Sequence, residues 1–191
     1  MLERQATLIP GLVLLEPRRF GDARGFSAET WNARASKAAG AEVDFVQDNH
    51  SFSIQTGTIR GLHFQAPPHA QAKLVRCGRG RLFDVAVDIR AGSPTYGRWF
   101  GVELSFENGR QLFIPAGFAH GFATLEPETE IVYKCSDYYA PECEGALRYD
   151  DPDLAIDWGL SGGAASISEK DLSASAFRGF ASPFLWKGAA G

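Results

Sequence analysis

The run TIRGLHFQAPPHAQAKLVRC, residues 58–77, gathers Arg60, His63, His69, Lys73 and Arg76 in an otherwise apolar, strand-like stretch, although the whole chain has a formal net charge of -4. A neutral imidazole can accept a proton, and guanidinium and ammonium groups can hold an anion, so these side chains suit proton transfer beside a negatively charged molecule. Singly, a strand histidine is more often a hydrogen-bonded structural residue, and a strand lysine is more often solvated. A second cluster changes that balance: FIPAGFAHGF, residues 113–122, carries Pro115, Gly117 and His120 in a PxGxxH spacing.

Strands must position these groups. Alternation in IRGLHFQ puts Ile59, Gly61, His63 and Gln65 on one face and Leu62 with Phe64 on the other, while QAKLVRC puts Gln71, Lys73 and Val75 on a common face. The intervening QAPPHA is compatible with a hairpin, which would make His63 and Lys73 cross-strand neighbours. Arg60 has the opposite parity, but a bulge at Gly61 would turn it inward. In RLFDVAVDIR, Phe83, Val85, Val87 and Ile89 share a face opposite Asp84 and Asp88, and WFGVELSF repeats the pattern with Phe100, Val102 and Leu104. Turn signals at GRGR (78–81), AGSPTYG (91–97), FENGR (106–110) and IPAG (114–117) recur at short intervals, which favours a sandwich or barrel over βαβ units. The best helical segment is ETWNARASKAAG, stopped by Gly40, and LSGGAASIS after Trp158 reads as a loop before a short, weakly structured tail.

At 191 residues, with 45% hydrophobic and 22% charged residues, the chain has the size and composition of one ordinary globular domain. Lys plus Arg number 19 against 23 Asp plus Glu, so there is no global basic field for nucleic acid or an anionic membrane, and any anion must be held locally. Cys77, Cys135 and Cys143 lack the paired spacing of a zinc site or disulfide framework, which predicts reduced thiols in the cytoplasm. The N-terminal apolar run is broken by Pro10 and Pro17; it is too short for a membrane span and lacks a signal-peptide cleavage pattern.

The PxGxxH stretch resembles the second motif of the cupin superfamily. Metal-dependent cupins assemble several histidines and a glutamate, since a divalent cation needs at least three well-placed donors. Here Phe64 and Gln65 follow His63, so the His-x-His pair is missing and a metal-free pocket is expected.

Eight ordered segments make the resemblance sharper: RGFSAETW (24–31), FVQDNHS (45–51), IRGLHFQ (59–65), AKLVRC (72–77), DVAVDIRAGSPTYGRW (84–99), QLFIPAGFAHGF (111–122), YKCSDYYAPECEG (133–145) and SEKD (168–171). From about Pro10 to Asp171 the chain resembles the dTDP-4-dehydrorhamnose 3,5-epimerase family. The resemblance implies an all-β, cupin-type jelly roll (a double-stranded β-helix) with a few short helices, formed by residues 1–191 as a single domain. It also implies a homodimer in which the strand region 1–30 is exchanged, with 159–191 as C-terminal loop and tail. The implied activity is cofactor-independent inversion of C3 and C5 of a dTDP-linked 4-keto-6-deoxyhexose. Both C–H bonds are α to the C4 ketone, so a base can remove each proton if the enolate is stabilised. By resemblance His63 is the base, Tyr133 the acid, Asp171 the carboxylate paired with His63, and Lys73 the cation near the C4 oxygen. Arg24, Phe26, Glu29, Gln47, Asp48, Asn49, Arg60, His120, Glu144 and Lys170 match substrate-contact positions. Tyr139 matches the residue that stacks on thymine, with Tyr138 open as an alternative. Arg24, Phe26 and Glu29 would complete the other subunit's pocket.

The chain departs from the family at Gly159, where proline is frequent, and in the tail FRGFASPFLWKGAAG, which is left unaligned with it. Three other readings stand beside this one: a single-centre epimerase of a related sugar, a metal-dependent cupin, and a non-catalytic sugar-binding jelly roll.

Overall fold

The computed structural model describes residues 2–160 and 165–188, so residues 161–164 of the expected loop lie outside the described residues. In chain order the strands are β1 (Leu2–Ala6), β2 (Val13–Pro17), β3 (Arg19–Asp22), β4 (Gly25–Ala28), β5 (Gln47–Ser53), β6 (Ile59–Gln65), β7 (Lys73–Arg79), β8 (Arg81–Asp88), β9 (Trp99–Ser105), β10 (Gln111–Ile114), β11 (Phe118–Thr124), β12 (Thr129–Cys135) and β13 (Glu144–Ala146). The α-helices among the described residues are α1 (Ala33–Ala38) and α2 (Glu169–Leu172). One sheet runs β1-β2-β10-β7-β12-β5 and the other β13-β6-β11-β8-β9, while β3 and β4 pair only with each other. Three of the four turn signals are where the chain changes sheets, and AGSPTYG joins β8 to β9 within one sheet. Gly80 alone joins β7 to β8 with φ +73, and a Cβ there would lie 2.6 Å from Thr129 Oγ1. FENGR carries β9 to β10, and IPAG carries β10 to β11.

Alternation then sorts side chains into layers. Leu12, Leu14, Val75, Cys77, Leu82, Ala86, Leu104, Leu112, Ile114, Phe118, Phe122 and Ile131, drawn from both sheets, fill the space between them. Val85, Val87 and Ile89 point the other way, into a layer outside the five-stranded sheet with Leu62 and Phe64. The two unlike faces of RLFDVAVDIR are therefore both covered, and Asp84 and Asp88 are fully buried. Helix α1 is capped by Asn32 and followed by Gly40 at φ +94, and the segment after it packs Ala39, Ala41, Val43 and Phe45 on Val13, Leu15, Leu74 and Phe113 of the six-stranded sheet. A fully buried aliphatic side chain in these layers contributes roughly 2 kcal/mol.

Three expectations are corrected. First, β6 and β7 do not form a hairpin. The edges of β6 are taken by β13 and β11, and those of β7 by β10 and β12, so the two strands belong to opposite sheets. His63 and Lys73 thus line one cavity from opposite sheets and are not cross-strand neighbours. Second, the alternation of IRGLHFQ breaks at Gly61. His63 pairs with His120 but Arg60 with Phe122, so three steps on β6 oppose two on β11, and the extra residue is a bulge. Gly61 has φ +123, and a Cβ there would sit 2.5 Å from Gly121 Cα. The bulge puts Arg60 and His63 together on the cavity wall, and Ile59, which also touches the cavity, packs with Leu62 and Phe64 in the outer layer. Third, the tail is packed, and SEKD forms helix α2. Phe180 and Phe184 meet Phe64 edge-on at 5.6 and 6.1 Å, and Arg90 lies between Phe118 and Trp186 at 4.3 and 4.4 Å from their ring centres. Among the described residues no helix is long and apolar enough to cross a membrane.

Candidate active site

At one end of the intersheet space the apolar filling gives way to polar side chains. His120 and Phe122 of β11, Arg60 and His63 of β6, Lys73 of β7, Tyr133 of β12 and Ser51 of β5 line a cavity of about 670 Å³ that Asp171 and the 166–168 segment close on one side. Each strand changes character along a single face: Val75 and Cys77 are core while Lys73 faces the cavity, and Ile131 is core while Tyr133 faces it.

His63 Nε2 lies 2.6 Å from Asp171 Oδ1, a contact between residues 108 positions apart. Asp171 is only 3% exposed and is delivered by α2, whose Ser168 hydroxyl accepts a hydrogen bond from the Asp171 amide at 3.1 Å. Burial pulls the His63 imidazole below its ordinary range, partly opposed by the hydrogen bond and charge of Asp171. The outcome is a neutral ring with a buried carboxylate behind it, the arrangement a general base requires.

The facing sheet supplies the complementary groups. Burial raises the Tyr133 phenol above its ordinary range, against the effect of Asn49, its register partner on β5, so the group keeps its proton at neutral pH. The Lys73 ammonium stands 5.8 Å from the Tyr133 ring centre, and burial lowers its proton affinity, opposed by Cys135, Asp84 and Glu144. His120 is almost fully buried, with Nε2 2.8 Å from Asp84 Oδ1. Among the described residues no three His, Cys, Asp or Glu side chains are grouped so as to hold a metal ion.

Beyond this centre lies a polar rim. Glu144 Oε2 accepts hydrogen bonds from Lys170 Nζ at 2.6 Å and Tyr139 Oη at 3.1 Å. Burial opposes ionisation of Glu144, but those two donors hold its carboxyl below the ordinary range. Gln47 accepts the Tyr139 amide at 2.9 Å and donates to Asn49 Oδ1 at 3.1 Å. Tyr139, not Tyr138, is therefore wired into the rim.

Other expected contacts lie elsewhere. Asp48, between Gln47 and Asn49, points to the opposite face by the strand pleat and pairs with Lys134 at 2.9 Å. Arg24 binds Asp22 within the β3–β4 hairpin, Phe26 packs on Phe106 at 5.6 Å, and Glu29 lines a separate small cavity beside Trp31 and Gln111. None of these four lines the main cavity of its own chain. Asp84, Ser51 and Ser168 were not anticipated at the site. Asp84 had a signal, its place opposite the apolar face of RLFDVAVDIR, and Ser168 had one in its S-x-x-D spacing before α2.

A family model described as dTDP-4-dehydrorhamnose 3,5-epimerase matches residues 6–179. The chain is similar to the dTDP-4-dehydrorhamnose 3,5-epimerase of Pseudomonas aeruginosa, with 54% identity over 170 residues, 88% of this chain and 92% of that one. Among solved structures it is similar to the dTDP-6-deoxy-D-glucose-3,5-epimerase of Legionella pneumophila in complex with dTDP-4-keto-L-rhamnose. That match has a TM-score of 0.88 and 48% identity, and covers 93% of this chain and 94% of the other. The dTDP-4-dehydrorhamnose 3,5-epimerase of Bacillus anthracis with TDP and PPi bound gives a TM-score of 0.89 at 43% identity, covering 93% of this chain and all of that one. The two-sheet architecture is accordingly the cupin-type jelly roll expected from the sequence.

Proposed function

This chain belongs to the dTDP-4-dehydrorhamnose 3,5-epimerase family, and on that premise we propose that it inverts C3 and C5 of a dTDP-linked 4-keto-6-deoxyhexose, with no cofactor, using His63, Asp171, Lys73 and Tyr133. His63 takes the proton from the carbon beside the ketone, and the C–H electron pair moves into the enolate. Asp171 stabilises the imidazolium so formed, and Lys73 stabilises the enolate oxygen. Tyr133 then delivers its proton to the opposite face of the carbon, and both groups are reset by solvent. Preorganised groups of this kind contribute on the order of 3 kcal/mol each to the transition state. The observation that carries the reading is a carboxylate-backed imidazole and a protonated phenol lining one cavity from opposite sheets.

Turnover of the dTDP-4-keto-6-deoxyglucose in deuterated water tests the activity. Label at both C3 and C5 with formation of the L-lyxo product is expected; label and inversion at one carbon alone would instead identify a single-centre epimerase.

The directions of the proton affinities set a pH dependence. His63 must be neutral to act, and burial lowers its affinity, so the acid limb of kcat/KM is expected below the ordinary imidazole value of about 6.5. Because Asp171 raises that affinity, Asp171→Asn should shift the limb to still lower pH as it lowers the plateau. At high pH Lys73, whose proton affinity burial lowers, gives up its proton below the ordinary lysine value of about 10.4, so the alkaline limb should fall below that value. An acid limb above the ordinary imidazole value would contradict the assignment of the base. The same sign holds for stability: the unfolded chain takes up the His63 proton first, so this residue's contribution is lost as pH falls through the ordinary imidazole range.

Arg24, Phe26 and Glu29 act, in this reading, on the pocket of a second copy in a homodimer. The isolated β3–β4 hairpin, with Phe20 57% and Phe26 45% exposed, supports that assignment. Sedimentation velocity should give a dimer, and a monomer at micromolar concentration would remove it. The whole chain is read as one domain, since the tail packs on the five-stranded sheet, and three free cysteines favour a cytoplasmic location.

A further inference from the structure

Gln65 is two residues from His63 on β6 and is 5% exposed. Its side-chain amide is fully engaged with the segment that carries Tyr139. Nε2 donates to the Tyr138 carbonyl at 2.9 Å and to the His69 carbonyl, and Oε1 accepts the Ala140 amide at 2.9 Å. The backbone adds Ala66 N to Cys143 O at 2.7 Å, and Glu144 pairs with Gln65 itself. Tyr139 is thereby clasped on both sides, by Gln65 through its two neighbours and by Gln47 through its own amide.

From this geometry we infer that Gln65 is a positioning residue for the nucleotide end of the substrate, a strut that holds the Tyr139 ring at a set distance from His63. The inference rests on the reading of Tyr139 as the residue that stacks on thymine. A side chain at i+2 on a strand shares the face of residue i, so one rigid strand sets both the base and the support of the stacking ring. Three hydrogen bonds from one buried amide leave that side chain little freedom, and losing them strands the Ala140 amide without its acceptor. The strut touches no reacting atom, so its effect should fall on binding and not on proton transfer.

Gln65→Met keeps the length of the side chain and removes all three bonds without adding charge beside His63. KM for the dTDP-sugar and Kd for dTDP should rise about tenfold while kcat stays within about twofold, a loss of uniform binding. Binding of inorganic pyrophosphate, which has no base to stack, should be unchanged by calorimetry. In the Gln65→Met/Tyr139→Ala double variant, the weakening of dTDP should be no greater than in Tyr139→Ala alone, since both changes remove the same contact. Additive losses, an equal loss of pyrophosphate binding, or a fall confined to kcat would each overturn the inference. If Gln65→Met does not fold, hydrogen exchange on the unmodified, nucleotide-free chain decides: the Ala140 amide should be protected, and free exchange there would refute the strut. If Tyr139→Ala alone leaves dTDP binding intact, it is the stacking reading that fails, and the positioning role falls with it.

Discussion

His63→Ala is expected to lower kcat by at least about 10² to 10⁴, the range supplied by a positioned general base, while dTDP binding changes little. Both cavity histidines have Nε2 on a buried carboxylate, His63 on Asp171 and His120 on Asp84, but the His63 side chain is 30% exposed and that of His120 only 8%, so His63 is the ring a substrate can reach. The rim groups Glu144, Lys170, Tyr139 and Gln47 are tied to one another and not to His63. The variant also leaves Asp171 buried with only the long Gly61 amide contact at 3.5 Å and its helix, which should cost about 1–3 kcal/mol of stability. Steady-state rates, calorimetric dTDP binding and a thermal melt separate these effects. Turnover within tenfold of the parent would eliminate His63 as the base.

Tyr133→Phe is expected to separate two events that the parent couples. In the proposed mechanism abstraction needs His63, Asp171 and Lys73, all intact in the variant, so solvent deuterium should still enter the carbon acids. Delivery to the opposite face needs the phenol, so formation of inverted product should drop by about 10² or more. The ring itself stays, and with it the contact to Lys73 at 5.8 Å and the packing against the core. Loss of a hydroxyl that burial keeps protonated therefore tests the proton and not the shape of the pocket. Normal epimerisation in Tyr133→Phe would leave the acid unassigned.

The faces of β8 and β9 were legible, because alternation is a property of the pleat and needs no knowledge of neighbours. Helix α1 and its stop at Gly40 were legible for a similar local reason. A bulge at Gly61 could be anticipated from a glycine in a strand, and it is what brings Arg60 to the side of His63. The supposed β6–β7 hairpin was misleading. Its loop length and strand patterns were compatible with a hairpin, but the edges of both strands are occupied by partners far away in sequence. The C-terminal tail looked weakly structured because Phe177, Phe180 and Phe184 have no regular spacing; they form a layer only because a sheet is there to receive them.

The chain by itself determined the chemistry on offer: an imidazole, a phenol, an ammonium and a set of carboxylates on strands with one polar end, in an order that resembles a known family. Tertiary structure decided which of them meet. Asp171 reaches His63 across 108 positions, and Lys73 faces His63 from another sheet. Asp48 turns away although its neighbours Gln47 and Asn49 do not. The physical reason is that period and turn propensity act over a few residues, whereas strand pairing and helix docking depend on which edges and faces the rest of the chain leaves open.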